Sequence, residues 1–170
     1  MADVAHTAGL IAGGEHKSPF PHVDYATFTT QKTFRGPRGG VILCKKDYAK
    51  AIDRALFPGL QGGPHMHTIK AKLVAAREAG TPEFRQYAKE VRANTQTMIA
   101  AFREAGFPIV FGGSDMHQFL VDVATSTGLT GNKVADRLEE RGIVVNANYL
   151  IGDAKNPSGI RIGTAHMTSM

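Results

Sequence analysis

The chain contains no tryptophan, one cysteine and no long apolar run. A lone Cys44 can form no internal disulfide, which suits a reducing, cytoplasmic compartment. Placed after Val41-Ile42-Leu43, it reads as a small buried apolar residue rather than a reactive thiol. No apolar stretch reaches the ~18 residues a spanning helix needs, so no membrane helix is expected. A secretory leader is not expected either, because Asp3 and His6 come early and Leu10-Ile11-Ala12 is too short an apolar core. The net charge is +5 and the pI about 9.5. The basic residues are dispersed and stand beside acids, as in Lys45-Lys46-Asp47 and Asp136-Arg137-Leu138-Glu139-Glu140-Arg141. Without an aromatic-and-basic cluster, this pattern argues against a nucleic-acid face and for a solvated surface with an anion-attracting site. The seven histidines show no metal-ligand spacing, and no metal is expected.

What is present is the patterning of an α/β protein. Val23–Thr29 alternates and is β-rich, and Val41–Cys44 reads as a fully buried strand. Lys46–Leu56 reads as a short helix, followed by the glycine-rich loop Phe57–Pro64. A helical pattern covers 66–78, with Ile69, Leu73 and Ala76 on one face. Thr81 then caps a long helix with Pro82 at its first position, and Gly106 ends it. Pro108–Phe111 and Gln118–Val123 read as strands, Thr130–Arg141 as a helix closed by Gly142, and Gly159–Gly163 as a strand. No internal repeat is found.

The densest signal is Thr29-Thr30-Gln31-Lys32-Thr33-Phe34-Arg35-Gly36-Pro37-Arg38-Gly39-Gly40, preceded by Asp3-Val4-Ala5-His6. An acid, a histidine and a lysine so arranged are what a pyridoxal phosphate (PLP) site needs. The lysine takes the aldehyde, and the carboxylate keeps the pyridine nitrogen protonated so that the ring can act as an electron sink. Both segments resemble the serine hydroxymethyltransferase family, whose usual forms read D-x-A-H-x-A-G-L-[IV]-A and T-T-T-T-H-K-T-L-R-G-P-R-G-G. Two further segments match in register. Phe57-Pro58-Gly59-Leu60-Gln61-Gly62-Gly63-Pro64-His65-Met66-His67 is similar to F-P-G-x-Q-G-G-P-x-x-H, and Ser158–Thr164 is similar to S-G-[IL]-R-[IL]-G-T.

The resemblance implies roles residue by residue. Lys32 would be the Schiff-base lysine, Asp3 the partner of the pyridinium nitrogen, and His6 a neighbour of the cofactor near its phenolic oxygen. Thr29 would touch the substrate and the lysine. Arg38 would sit beside the lysine and tune its charge. Gly62 and Gly63 would offer backbone N–H groups to the cofactor phosphate of a neighbouring subunit. Arg161 would clamp the substrate carboxylate with its planar fork. Three departures from the family pattern stand out: Gln31 replaces a histidine, Phe28 replaces a threonine, and Ala165-His166 replaces Pro-Ala.

The implied fold is the three-layer, aspartate aminotransferase-like architecture of fold-type I PLP enzymes. Residues 1–80 would be the C-terminal part of the large PLP-binding domain with its connecting helix, and residues 81–170 a small C-terminal α/β domain. The chain opens within a site motif, which reads as a fragment lacking an N-terminal half and expected to be inactive alone. The implied activity is serine/glycine hydroxymethyl transfer with tetrahydrofolate as one-carbon acceptor, in a homodimer or tetramer with shared sites. The departures leave open a related aldolase or transaldolase acting on threonine or α-methylserine, and the missing half leaves open a non-catalytic lobe.

Overall fold

A computed structural model describes residues 1–170. They form two compact units, Met1–Lys89 and Glu90–Met170.

The first unit contains β1 (Ala2–Asp3), α1 (Ala8–Ala12), β2 (Tyr25–Thr29), β3 (Gly40–Cys44), α2 (Lys46–Arg54), α3 (Met66–Glu78) and the start of α4 (Pro82–Glu104). Its sheet has the order β1-β2-β3. β1 runs parallel to β2, with Asp3 opposite Thr27, and β3 runs antiparallel to β2, with Ala26 opposite Leu43. The central strand buries Ala26, while α1 buries Ala8, Gly9 and Leu10. An aromatic row then ties the lysine loop to α4. Phe28 stacks on Phe34 at 5.2 Å, Phe34 on Phe84 at 6.3 Å, and Phe84 on Tyr87 at 5.3 Å. Thr81 caps α4 by accepting a hydrogen bond from Phe84 N at 3.3 Å, as Thr-Pro at a helix start requires.

Three sequence expectations change here. The 41–44 strand forms, but it is an edge strand, and Ile42 and Leu43 remain 44% and 49% exposed. On α3 the buried residue is Ala75, with Ala79 beyond the helix end, whereas Ile69, Leu73 and Ala76 are exposed. Residues 55–60, assigned partly to a helix and partly to a loop, form one wide helical turn broken at Phe57.

The second unit takes the rest of α4 with β4 (Gln118–Asp122), α5 (Val123–Thr127), α6 (Gly131–Glu139), β5 (Asn146–Asn148), β6 (Gly159–Gly163) and α7 (Ala165–Thr168). The sheet order is β4-β6-β5, and both pairings are antiparallel. Alternation along β4 and β6 sends Phe119, Val121, Ile160 and Ile162 into a core with Ile99 and Val123. Two neighbouring expectations fail for local reasons. Pro108–Phe111 makes a single bridge, Ile109 to Val121, and then turns, because Phe111, Gly112 and Gly113 all take positive φ. Val123 starts α5 instead of ending β4, because the Asp122 carboxylate accepts the Thr125 N–H at 3.0 Å and caps a helix there.

Candidate active site

The parallel pairing of β1 with β2 decides which side chains meet. Both strands end at the same edge of the sheet, where an open α/β sheet offers its ligand crevice. Asp3 and His6 follow from the end of β1, and Thr29 and Lys32 from the end of β2. The pairing extends one step past β1, with Val4 N donating to Thr27 O at 2.8 Å.

Beyond the strands a polar clasp joins the two loops. Thr33 is fully buried. Its hydroxyl donates to His6 O at 2.9 Å and accepts from Gly9 N at 3.0 Å. Thr29 Oγ1 donates to Ala5 O at 3.4 Å. The result is that Lys32 Nζ lies 3.0 Å from His6 Nε2. Which of the two nitrogens donates is set by the tautomer of the imidazole. The two groups are separated by 26 residues in sequence, and both are half-buried. Asp3 is exposed at the end of β1, and one of its carboxylate oxygens accepts the Ala5 N–H at 3.0 Å.

The loop between β2 and β3 is closed on itself. Thr30 N donates to Gly39 O at 2.9 Å and Gly36 N to Thr30 O at 2.7 Å, while the buried Thr30 hydroxyl bonds the carbonyls of Pro37 and Gly39. Gln31 joins this closure, its amide oxygen accepting from Gly39 N at 3.2 Å. Arg38 stands exposed in the same loop. Gly62 and Gly63 lie in the exposed segment between the wide turn and α3. Gly63 takes φ +54 and both have open space where a side chain would be, so backbone N–H groups are approachable there.

Arg161 belongs to the second unit, in the central strand β6. Its neighbours Ile160 and Ile162 are buried, so the guanidinium leaves from the opposite face, half-exposed. Leu120 stands opposite it on β4 and Asn146 on β5. Its Nη2 donates to Asn146 Oδ1 at 3.2 Å. The loop leading into β6 is pinned by Asp153, whose Oδ2 accepts from Leu150 N at 2.8 Å, Ser158 N at 2.7 Å and the Ser158 hydroxyl at 2.9 Å. The N–H groups of Leu150 and Ser158 hold the Asp153 carboxyl below the usual carboxylate range.

Sequence reasoning missed the Thr33–Gly9 clasp, Asn146 and Asp153. A threonine after the lysine and a glycine at position 9 carry no local pattern that pairs them across 24 residues. Asn146 had one available signal, its place in the polar alternation Asn146-Ala147-Asn148.

The set of donors fits PLP chemistry: one amine beside one imidazole, and a carboxylate at the same strand edge. Comparison with known sequences identifies the family. The family profile described as serine hydroxymethyltransferase matches residues 1–170. A serine hydroxymethyltransferase of Coprothermobacter proteolyticus is 52% identical over 172 aligned residues, covering 99% of this chain. The chain spans 41% of the length of that relative. With an α/β structure consistent with part of a fold-type I architecture, and the family's motifs in register from end to end, the chain belongs to the serine hydroxymethyltransferase family.

Proposed function

We propose that this chain carries the lysine-bearing side of a PLP site that interconverts serine and glycine, with tetrahydrofolate as the one-carbon acceptor. The observation that supports it most is the 3.0 Å approach of Lys32 Nζ to His6 Nε2 at the shared carboxyl end of β1 and β2. When bound, PLP supplies an aldehyde for the amino group and a ring that draws electrons from the bond being broken. Lys32 would hold the aldehyde and Asp3 the ring nitrogen, with His6 against the cofactor. Gly62 and Gly63 of a neighbouring subunit would receive the phosphate.

Each side chain has a task of its own in this reading. The His6 imidazole can take a proton from the Lys32 ammonium and return it, keeping the amine nucleophilic when it is needed. Thr29 positions the substrate beside that amine, and Arg38 adds a positive charge to the same loop. Arg161 grips the substrate carboxylate in a bidentate hydrogen bond. Residues 1–80 serve as part of the cofactor domain and residues 81–170 as the C-terminal domain of a homodimer or tetramer. The single Cys44 fits a cytoplasmic setting.

Gln31 favours a second reading. Its amide is spent on Gly39 N, where the family usually has a histidine able to titrate or stack. A threonine or α-methylserine aldolase or transaldolase would tolerate that exchange. Absorbance spectra of the complete protein with glycine, with and without tetrahydrofolate, separate the two: a folate-dependent change marks the hydroxymethyltransferase. The lysine assignment is tested by borohydride reduction with PLP and peptide mapping. Label on Lys32 is expected, and label on any other lysine would end the assignment.

A further inference from the structure

We infer that Asn146 is the positioning residue that sets the plane of the Arg161 guanidinium for a substrate carboxylate. The inference rests on the proposed role of Arg161 and adds a determinant of amino-acid specificity to it.

The argument starts from register. Asn146 and Arg161 are direct partners in an antiparallel pair, so their side chains leave the same face of the sheet. Ala147 pairs with the buried Ile160 and belongs to the core side. The face carrying Arg161 is therefore flanked by Asn146 on one side and Leu120 on the other. Leu120 can pack against the guanidinium stem but can accept nothing. Asn146 Oδ1 accepts from Arg161 Nη2 at 3.2 Å. A bidentate grip on a carboxylate uses two parallel N–H groups along one edge of the fork, so an anchor on one terminal nitrogen fixes the plane the other edge presents. A free arginine side chain would sample several rotamers and lose that ordering on each binding event.

The choice of an amide matters. A neutral carbonyl oxygen orients the guanidinium without cancelling its charge. A carboxylate at the same place would bind Arg161 more strongly and compete with the substrate for it. Asparagine is thus the residue that holds the fork while leaving it positive.

The test uses the complete, cofactor-loaded protein and measures glycine binding by titration calorimetry, with kcat and KM for serine beside it. Asn146→Ala, which frees the fork, is expected to weaken glycine about threefold to tenfold. Asn146→Asp, an isostere, is expected to weaken it beyond about thirtyfold by pairing with Arg161. Both losses should appear in KM more than in kcat. Asn146 is exposed on an edge strand, so both variants should melt close to the parent. An Asn146→Asp protein that binds glycine as tightly as the parent, or more tightly than Asn146→Ala, would overturn the inference. Arg161→Ala is the control. If it weakens glycine binding while both Asn146 variants bind normally, only this inference fails; if it binds glycine normally, the carboxylate role of Arg161 fails and takes the inference with it.

Discussion

Gly9→Ala is the substitution that most directly questions the clasp around Lys32. Gly9 has an ordinary backbone conformation, so conformational freedom does not explain it. Space does: a Cβ at Gly9 would overlap the Thr33 carbonyl and lie 2.7 Å from Phe34 N. These are backbone atoms and cannot rotate away. α1 must therefore move off the lysine loop, which stretches or breaks the Gly9 N to Thr33 Oγ1 hydrogen bond. Overpacking a buried contact costs about 1–3 kcal/mol. Leaving buried partners unmet costs about 1–3 kcal/mol more. Taken together the loss is roughly 2–6 kcal/mol, or a fall in melting temperature of about 4–24 °C at about 2–4 °C per kcal/mol.

The informative control is Gly14→Ala. Gly14 sits at φ +81 with nothing within 4 Å of its Cβ position, so only local strain of about 1–2 kcal/mol is at stake. Thermal unfolding of both variants in the complete protein, followed by circular dichroism, should place Gly9→Ala well below Gly14→Ala. A Gly9→Ala protein that melts at or above Gly14→Ala would refute the close approach of α1 to the lysine loop.

Thr81→Ala should cost about 1 kcal/mol, read from denaturant unfolding, because the α4 cap at Phe84 N is lost. Thr81→Ser should recover most of it. Arg35 sits at φ +60 with its guanidinium 4.4 Å from the Tyr87 ring centroid. Arg35→Ala loses the stack and keeps the strain, whereas Arg35→Gly loses the stack and relieves the strain. The glycine variant should therefore be the more stable of the two by roughly 1 kcal/mol; the reverse order would remove the strain argument. For Asp153 the folded carboxyl is depressed by the Leu150 and Ser158 N–H groups. Its contribution is thus full above the unfolded carboxylate value of about 3.9 and fades as pH falls through the lower folded value. Hydrogen-exchange protection of the Ser158 amide should drop in that acid window, and Asp153→Ala should lack that protection at neutral pH.

Much of this chain was legible because its local signals agree. Thr81-Pro82 announced α4, and the run Gly159–Gly163 announced β6. What misled was apolar patterning without knowledge of its cover. Ile42 and Leu43 of the edge strand and the stripe of Ile69 and Leu73 are apolar enough to be buried, yet in this chain they are exposed. Periodicity reports which face is apolar, and only the tertiary arrangement decides what lies against it. The 108–111 misreading had a visible warning in Gly112-Gly113, which the β-rich Ile-Val-Phe run outweighed.

The site itself was legible as residue types and illegible as geometry. In the sequence Thr29 alone of the threonines around Lys32 is given a role by the resemblance, and Thr30 and Thr33 have none. Thr30 and Thr33 are buried, and both turn inward to hold backbone: Thr30 the carbonyls of Pro37 and Gly39, Thr33 the His6 carbonyl and the Gly9 amide. Lys32 lies between two such anchors, half-exposed and directed at His6. Even Gly39 is constrained from outside, since Lys72 of α3 fills the space its side chain would need while donating to Gly40 O at 3.0 Å. A long flexible amine gains a defined position only if its own backbone is fixed on both sides, because the four-carbon stem carries about 2 kcal/mol of rotamer entropy. The threonines supply that fixation through backbone hydrogen bonds that leave the ammonium unencumbered. The run is therefore a scaffold that holds one amine in place, and its tolerance of Phe28 and Gln31 follows from the same division. Phe28 packs on Phe34 and Gln31 serves the loop closure, so both exchanges support the lysine's surroundings without touching the Lys32–His6 contact.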